Sequence, residues 1–336
     1  MTLKLNQLTQ RKRRPMCECG KLHHNAKRLT VEQDPTRQSA NRARAERELN
    51  RRLKGAAAEI KTYLLNLQHT NSTVPDGNSL AMNREVYTYM LDPYRDVRAF
   101  ILDTIDSWFE TGEPTKPPRW FFDAFIRSPY DAGAADTLGR VNLLAVQAGY
   151  EIGITSQLTF EQVLLSDSYR RRIEIVFQRT FNSMDKFSGD LGADLARAIG
   201  EAMINGKSPR TLAGIMAEQF SIKHSRAMTI ARTEVNNAYR TARQQETEEA
   251  AKRYDLDIKV MHRSALLPTT RPWHAERHGK VYTIQEQADW WAEGANSINC
   301  YCVSLEVMYD SKGVMYDAGL QEKLIKQRKT YFGLAE

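Results

Sequence analysis

The sequence predicts a mainly α protein, an elongated helical body followed by a small C-terminal α+β module for which zinc is the candidate staple. Three observations carry that expectation. Apolar side chains recur at helical spacing, with few breakers, through most of residues 37–254. After Asp255 the pattern switches to alternation. The four cysteines fall in two Cys-x-Cys pairs, each with two histidines nearby. At 336 residues the chain is long enough for two or three domains.

Residues 1–36 read as a basic arm that carries the run Arg11-Lys12-Arg13-Arg14 and ends in a loop from Thr30 to Thr36. Residues 37–154 form a helical region. It opens with a long basic helix, Arg37 to Leu67, whose Leu49, Leu53, Ala57, Ile60 and Leu64 share a face. Asn71 to Ser79 is dense in turn formers and reads as a loop or hinge, with helix resuming at Asn83. Val97, Ile101, Ile105, Trp108 and Phe109 make a second stripe, and three prolines break the pattern between Thr111 and Pro118. Trp120, Phe121, Phe122 and Phe125 follow at the spacing of core residues; beside Arg119 and Arg127 the alternative is a platform for nucleic-acid bases. Val141 to Ile154 reads as a packed helix ending in glycines.

A second helical region, residues 155–254, is expected to hold helices at Leu158 to Phe187 and Gly189 to Asn205. Ser208-Pro209 then restarts a helix as N-cap and first helical residue, and a further element runs from about Ser221 to Tyr254. Residues 255–310 are the α+β module. Leu256, Ile258, Val260 and His262 suggest a strand, and Thr270 to Gly279 a helical turn that places His274 and His278 on one side. Lys280 to Ile284 is a second strand, Gln285 to Glu293 a helix, and Cys300 to Met308 a third strand. Residues 311–336 are left as a tail.

Cys17, Cys19, His23 and His24 form one candidate ligand set, and Cys300, Cys302, His274 and His278 the other. Each offers two thiolates and two imidazoles, the inventory of a tetrahedral zinc site. Cysteines at i and i+2 of a strand share a face, which suits chelation, whereas a disulfide between such close neighbours is strained. Cys-x-Cys departs from the commoner Cys-x2-Cys, so two other readings stay open: ordinary reduced thiols beside solvated histidines, and one site built from both pairs.

Charge is uneven. Residues 1–60 hold 15 Lys and Arg against 6 Asp and Glu, a surplus of nine in a chain whose formal charge is +7, so the remainder sums to −2. A cationic arm and helix of this kind favour the phosphate backbone of duplex DNA through counterion release, with Arg11, Lys12, Arg13, Arg14, Arg42, Arg44, Arg51 and Arg52 as candidate contacts. The alternative is a solvated tail that aids solubility. No apolar h-region opens the chain, which points to a soluble protein made in a reducing cytosol, with no membrane partner.

Ala231-Arg232-Thr233-Glu234 in a long helix, Thr270-Arg271-Pro272-Trp273-His274 after a strand, His278-Gly279, and Asn299-Cys300-Tyr301-Cys302 before an alternating strand occur in an order that resembles the minor head proteins of tailed bacteriophages named for protein F of phage Mu. The resemblance covers about residues 205–310. It implies a head-morphogenesis protein present in few copies, made in the bacterial host cytoplasm and incorporated during procapsid assembly through the portal protein. Major capsid or scaffolding protein would be further partners, and its place would be inside the head near packaged double-stranded DNA. It implies no catalysis. Arg232, Thr233, Glu234, Arg271, Pro272 and Gly279 are the matching motif positions, and Arg232 and Glu234 would fix the long helix against the metal module or else be solvated. Family members often carry Arg between the cysteines and His-Pro just upstream; here Tyr301 and Ser297-Ile298 stand there, which leaves the fourth ligand open.

Enzymatic readings compete less well. His274-Ala275-Glu276 matches the His-x-Glu of zinc-dependent nucleobase deaminases, but their cysteines lie at i and i+3, and a fourth protein ligand would fill the position a catalytic water needs. A zinc hydrolase of the His-Glu-x-x-His kind fits no better, since His-Ala-Glu-Arg-His turns the carboxylate to another side. A structural metal explains the ligands with fewer assumptions, because it lets a module of this size fold with little core of its own.

Overall fold

The computed structural model describes residues 33–75, 83–89, 93–110, 119–150 and 160–334. The protein is mainly helical with a small sheet near its C-terminus. The arm residues Arg11 to Arg14 and the set Cys17, Cys19, His23 and His24 lie outside the described residues, as does the proline segment 111–118.

Helix α1 (Ser39–Leu65) forms where the leucine stripe predicts it, burying Leu49, Leu53, Ala56, Ile60 and Leu64. The expected loop at Asn71 and helix from Asn83 are corrected: β1 (His69–Pro75) and β2 (Asn83–Tyr89) pair antiparallel, His69 opposite Tyr89. Thr70, Thr73, Val74, Val86 and Thr88 are β-branched, and their pairing outweighs the turn-forming polar residues among them. The β2 strand also leans on the turn at residues 205–207, far along the chain, where the Tyr87 amide donates to the Gly206 carbonyl at 3.0 Å and the Tyr89 hydroxyl to the Lys207 carbonyl at 2.6 Å.

Helix α2 (Pro93–Phe109) buries Val97, Ile101, Ile105 and Phe109. A single wide turn, Phe122–Ile126, leads into α3 (Arg127–Gln147) and turns Phe122, Phe125 and Ile126 inward, so the aromatic run is core and not a stacking platform. After the short α4 (Phe160–Leu165), one helix, α5 (Asp167–Ile204), replaces the two expected up to Asn205. It passes through Gly189 because nothing packs where that residue's side chain would be, so glycine there costs intrinsic propensity but breaks no contact.

Helix α6 (Pro209–Tyr254) begins as predicted, with the Ser208 hydroxyl accepting from the Thr211 amide at 3.2 Å and Pro209 in the first turn. It runs unbroken for 46 residues, roughly 70 Å, through the point where a new element was expected at Ser221. A continuous apolar core joins α1, α2, α3, α5 and the first two thirds of α6.

The module hangs on the second half of α6. Its strands β3 (Lys259–Arg263), β4 (Val281–Tyr282) and β5 (Val303–Val307) form an antiparallel sheet in the order β4-β3-β5. Short helices α7 (Pro272–Glu276) and α8 (Ile284–Ala292) fill the connections, and Thr283 with Glu286 caps α8 reciprocally. The residues left as a tail instead form α9 (Ala318–Tyr331), whose Leu324 joins Met261, Val307 and Met315 in the module's own core.

Candidate metal centre

Cys300 and Cys302 precede β5 rather than lying within it, and both are buried with His274 of α7. The Nδ1 atom of His274 is 3.5 Å from the Sγ of each cysteine, and the three ligand atoms lie within 4.8 Å of one another. A zinc ion about 2.3 Å from sulfur and about 2.0 Å from imidazole nitrogen makes a tetrahedral N to S edge of roughly 3.5 Å. The spacing of the donors therefore fits a metal. Burial pushes the Cys300 thiol up, but Cys302, the Arg240 guanidinium and His274 outweigh it and hold Cys300 well below the ordinary thiol range. Cys302 is held well above that range by burial and then by the Cys300 thiolate. A second thiolate here requires further positive charge, which a divalent ion supplies.

Local sequence explains why these atoms meet. The Arg271 guanidinium donates to the carbonyls of Ala295 at 2.6 Å, Asn296 at 3.2 Å and Ile298 at 3.0 Å, tying the start of α7 to the loop that delivers the cysteines. Pro272 opens α7, where its missing N–H has no role, so the short turn starts one residue before Trp273 and brings His274 inward. Asn299 adopts a left-handed φ of 49° and its amide donates to the Thr233 hydroxyl of α6 at 2.9 Å. Gly279, at φ 79°, ends the turn after α7, and α9 approaches so closely that a Cβ there would lie 3.1 Å from that of Leu324.

One face of α6 does the rest. Thr233, Asn236, Arg240, Arg243 and Thr247 are all buried and recur at intervals of three and four. Asn236 donates to the Cys300 carbonyl at 2.9 Å, and Arg240 donates to the carbonyls of Cys300 at 2.6 Å and Ser297 at 3.0 Å. Arg243 donates to the Ser304 carbonyl at 3.0 Å and pairs with the fully buried Glu306 of β5, whose other oxygen accepts from Thr137 at 3.2 Å and Thr247 at 3.1 Å. Thr233 is one of the motif positions; Asn236, Arg240, Arg243, Thr247 and Glu306 escaped the sequence reading. Their signal is a polar stripe at the spacing normally occupied by apolar side chains.

Several expected residues sit elsewhere. The α7 helix ends at Glu276, so His278 does not share its face; its Nδ1 accepts from the Ser264 amide at 3.0 Å and its Nε2 lies 3.2 Å from Gln327 of α9. With Nδ1 accepting, the ring is neutral, and burial pushes its pKa down to about 4. Arg232 pairs with Glu46 of α1 at 2.6 Å, and Glu234 accepts from Ser183 of α5 at 3.2 Å with Arg179 3.5 Å away, so both join helices within the body and not the module. Among the expected DNA contacts, Arg42 is buried on Asp34 at 2.9 Å and Asn236 at 2.8 Å, and Arg52 is turned onto Trp120 and the Trp108 carbonyl at 2.5 Å. Neither presents its charge to a duplex. Arg44 and Arg51 remain nearer the surface, the latter paired with Glu48 at 2.6 Å.

His262 of β3, missed as a candidate, is fully buried beside this centre. Its ring meets Trp290 at 5.1 Å, and Trp290 meets His274 at 4.7 Å. Burial pushes its pKa down to about 3.

The fold and site thus define a helical protein with a thiolate and imidazole module mounted on the second half of its longest helix. Residues 193–305, from within α5 to β5, match the family described as phage Mu protein F like protein. No curated protein and no solved structure matches the chain. No described helix is long and apolar enough to cross a membrane.

Proposed function

We propose that the protein is a structural head-morphogenesis component of a tailed phage, whose C-terminal module is held in shape by zinc. The family match over residues 193–305 carries this reading. The closed character of the centre supports it: His274, Cys300 and Cys302 are each no more than 3% exposed, and their backbone is clamped to α6. In such a site the metal contributes folding free energy, and the chain's own residues orient the ligands and exclude water.

A deaminase or other zinc hydrolase needs a base facing the ion. Glu276 is exposed, outside the ligand group, and lines a surface cleft with Lys280 and Arg328. That placement favours a structural role over an enzymatic one.

In this reading the chain enters the procapsid through contacts with the portal ring, with the major capsid or scaffolding protein as further neighbours. It resides in the head, where the arm at residues 1–36 meets packaged DNA. Mass spectrometry of purified heads, with co-purification from cells expressing portal and this chain, tests it. The chain is expected in the heads and on the portal; heads that lack it would end the proposal.

A further inference from the structure

The metal reading above names three ligands, and we infer that the fourth is His262. The inference rests on that reading and concerns only this chain's completion of the site. The Nδ1 atom of His262 lies 3.3 Å from the Gln287 Oε1, and Arg277 donates to the same oxygen at 3.3 Å. A shared guanidinium donor fixes Oε1 as the acceptor, so His262 Nδ1 carries the proton and Nε2 carries the lone pair. That Nε2 is buried and has no hydrogen-bond partner. An unpaired basic nitrogen in a dry core has given up its hydration with nothing in return and calls for a partner.

His262 is not among the three donors that already lie within 4.8 Å of one another, so its ring must close on the ion, and three features point to the centre as that partner. His262 and His274 pack against the same Trp290 ring. The charge of Cys300 acts on His262, as does that of His274. A metal-bound imidazole ordinarily donates its other ring N–H to an oxygen, and Gln287 supplies that acceptor to His262. Competing donors are otherwise engaged: His278 is held by Ser264 and Gln327, and Glu276 is exposed. The assembled set is two thiolates and two imidazoles, with one imidazole from a strand position no cysteine spacing would reveal.

The test uses the full chain loaded with zinc and, separately, with cobalt(II). X-ray absorption at the zinc edge is expected to show two sulfur and two imidazole ligands at the C-terminal centre in a Cys17→Ser/Cys19→Ser background. His262→Asn is expected to weaken zinc binding by more than about 100-fold, beyond the 10–100-fold typical of an outer partner, and to alter the cobalt ligand-field bands. His278→Asn should leave both unchanged. Should His262→Asn fail to fold, the ligand count on the unmutated His262 still decides. One imidazole, or unaltered cobalt bands in folded His262→Asn, overturns the inference while leaving the metal reading intact; a background protein that binds neither metal overturns both.

Discussion

Arg240, in the middle of a face of α6, donates to the carbonyl of Cys300 at 2.6 Å, and its guanidinium is buried. The contact is to the backbone of a candidate ligand rather than to its sulfur. It makes the longest helix of the body a jig for the module that carries the candidate metal centre, since the same side chain also holds the Ser297 carbonyl.

Arg240→Met should therefore uncouple the module. The Ser297 carbonyl loses its donor at about 1–3 kcal/mol while the Cys300 carbonyl keeps Asn236, so urea unfolding should show a loss of about 1–3 kcal/mol, and hydrogen exchange should rise first in residues 295–307. A loss below about 1 kcal/mol would mean the clamp is not structural.

The Arg243 and Glu306 pair bridges the same two parts. Removing one partner leaves an uncompensated buried charge, so Glu306→Leu should cost about 3–5 kcal/mol, while Arg243→Met with Glu306→Leu should cost less than Glu306→Leu alone. A double-mutant cycle read by chemical denaturation checks this; additive losses would contradict it.

Acid sensitivity follows from the neutral histidines. The folded pKa of His278 is held down to about 4, below the ordinary 6.5, by burial first and then by the Arg263 and Arg328 charges, against Gln327 and Ser264. The folded state thus binds fewer protons than the unfolded one, so this contribution is present above pH 6.5 and is lost as the pH falls toward about 4. Each pH unit in that window should remove up to about 1.4 kcal/mol. Thermal melts between pH 7 and 4 should show a smaller drop in His278→Asn than in the parent; equal slopes would refute the assignment.

Gly279→Ala tests the closure of α9 over the module. It forces a side chain into left-handed backbone and against Leu324, costing about 1–2 kcal/mol or more, and should raise exchange in residues 318–331. Unchanged exchange there would show that α9 does not depend on this contact.

For DNA, deleting residues 1–32 should remove most of the salt-dependent affinity, and Arg44→Gln with Arg51→Gln little of it, because Arg42 and Arg52 of the same helix are turned inward. Filter binding at two salt concentrations reads this. Unchanged affinity in the deletion would remove the arm from the account.

Much of this was legible in the sequence where a local signal and the tertiary fold agree. Ser208-Pro209 starts α6, the Leu49 to Leu64 stripe faces the core, and Cys300, Cys302 and His274 converge. The β1–β2 hairpin was hidden because its β-branched residues sit among turn formers. The α9 helix was hidden because its charged residues mask the single buried Leu324. His278 misled because the i, i+4 rule needs a helix, and α7 stops two residues too soon. Arg240 and Arg243 drew no reading because nothing local marks their charge as buried; only the position of the module makes their face an interior one.

Metal content of the full chain, compared with a Cys300→Ser/Cys302→Ser variant, tests the central claim most directly. The account predicts that the variant loses one equivalent of zinc and melts at a lower temperature. Equal zinc content and an unchanged melting temperature would contradict it.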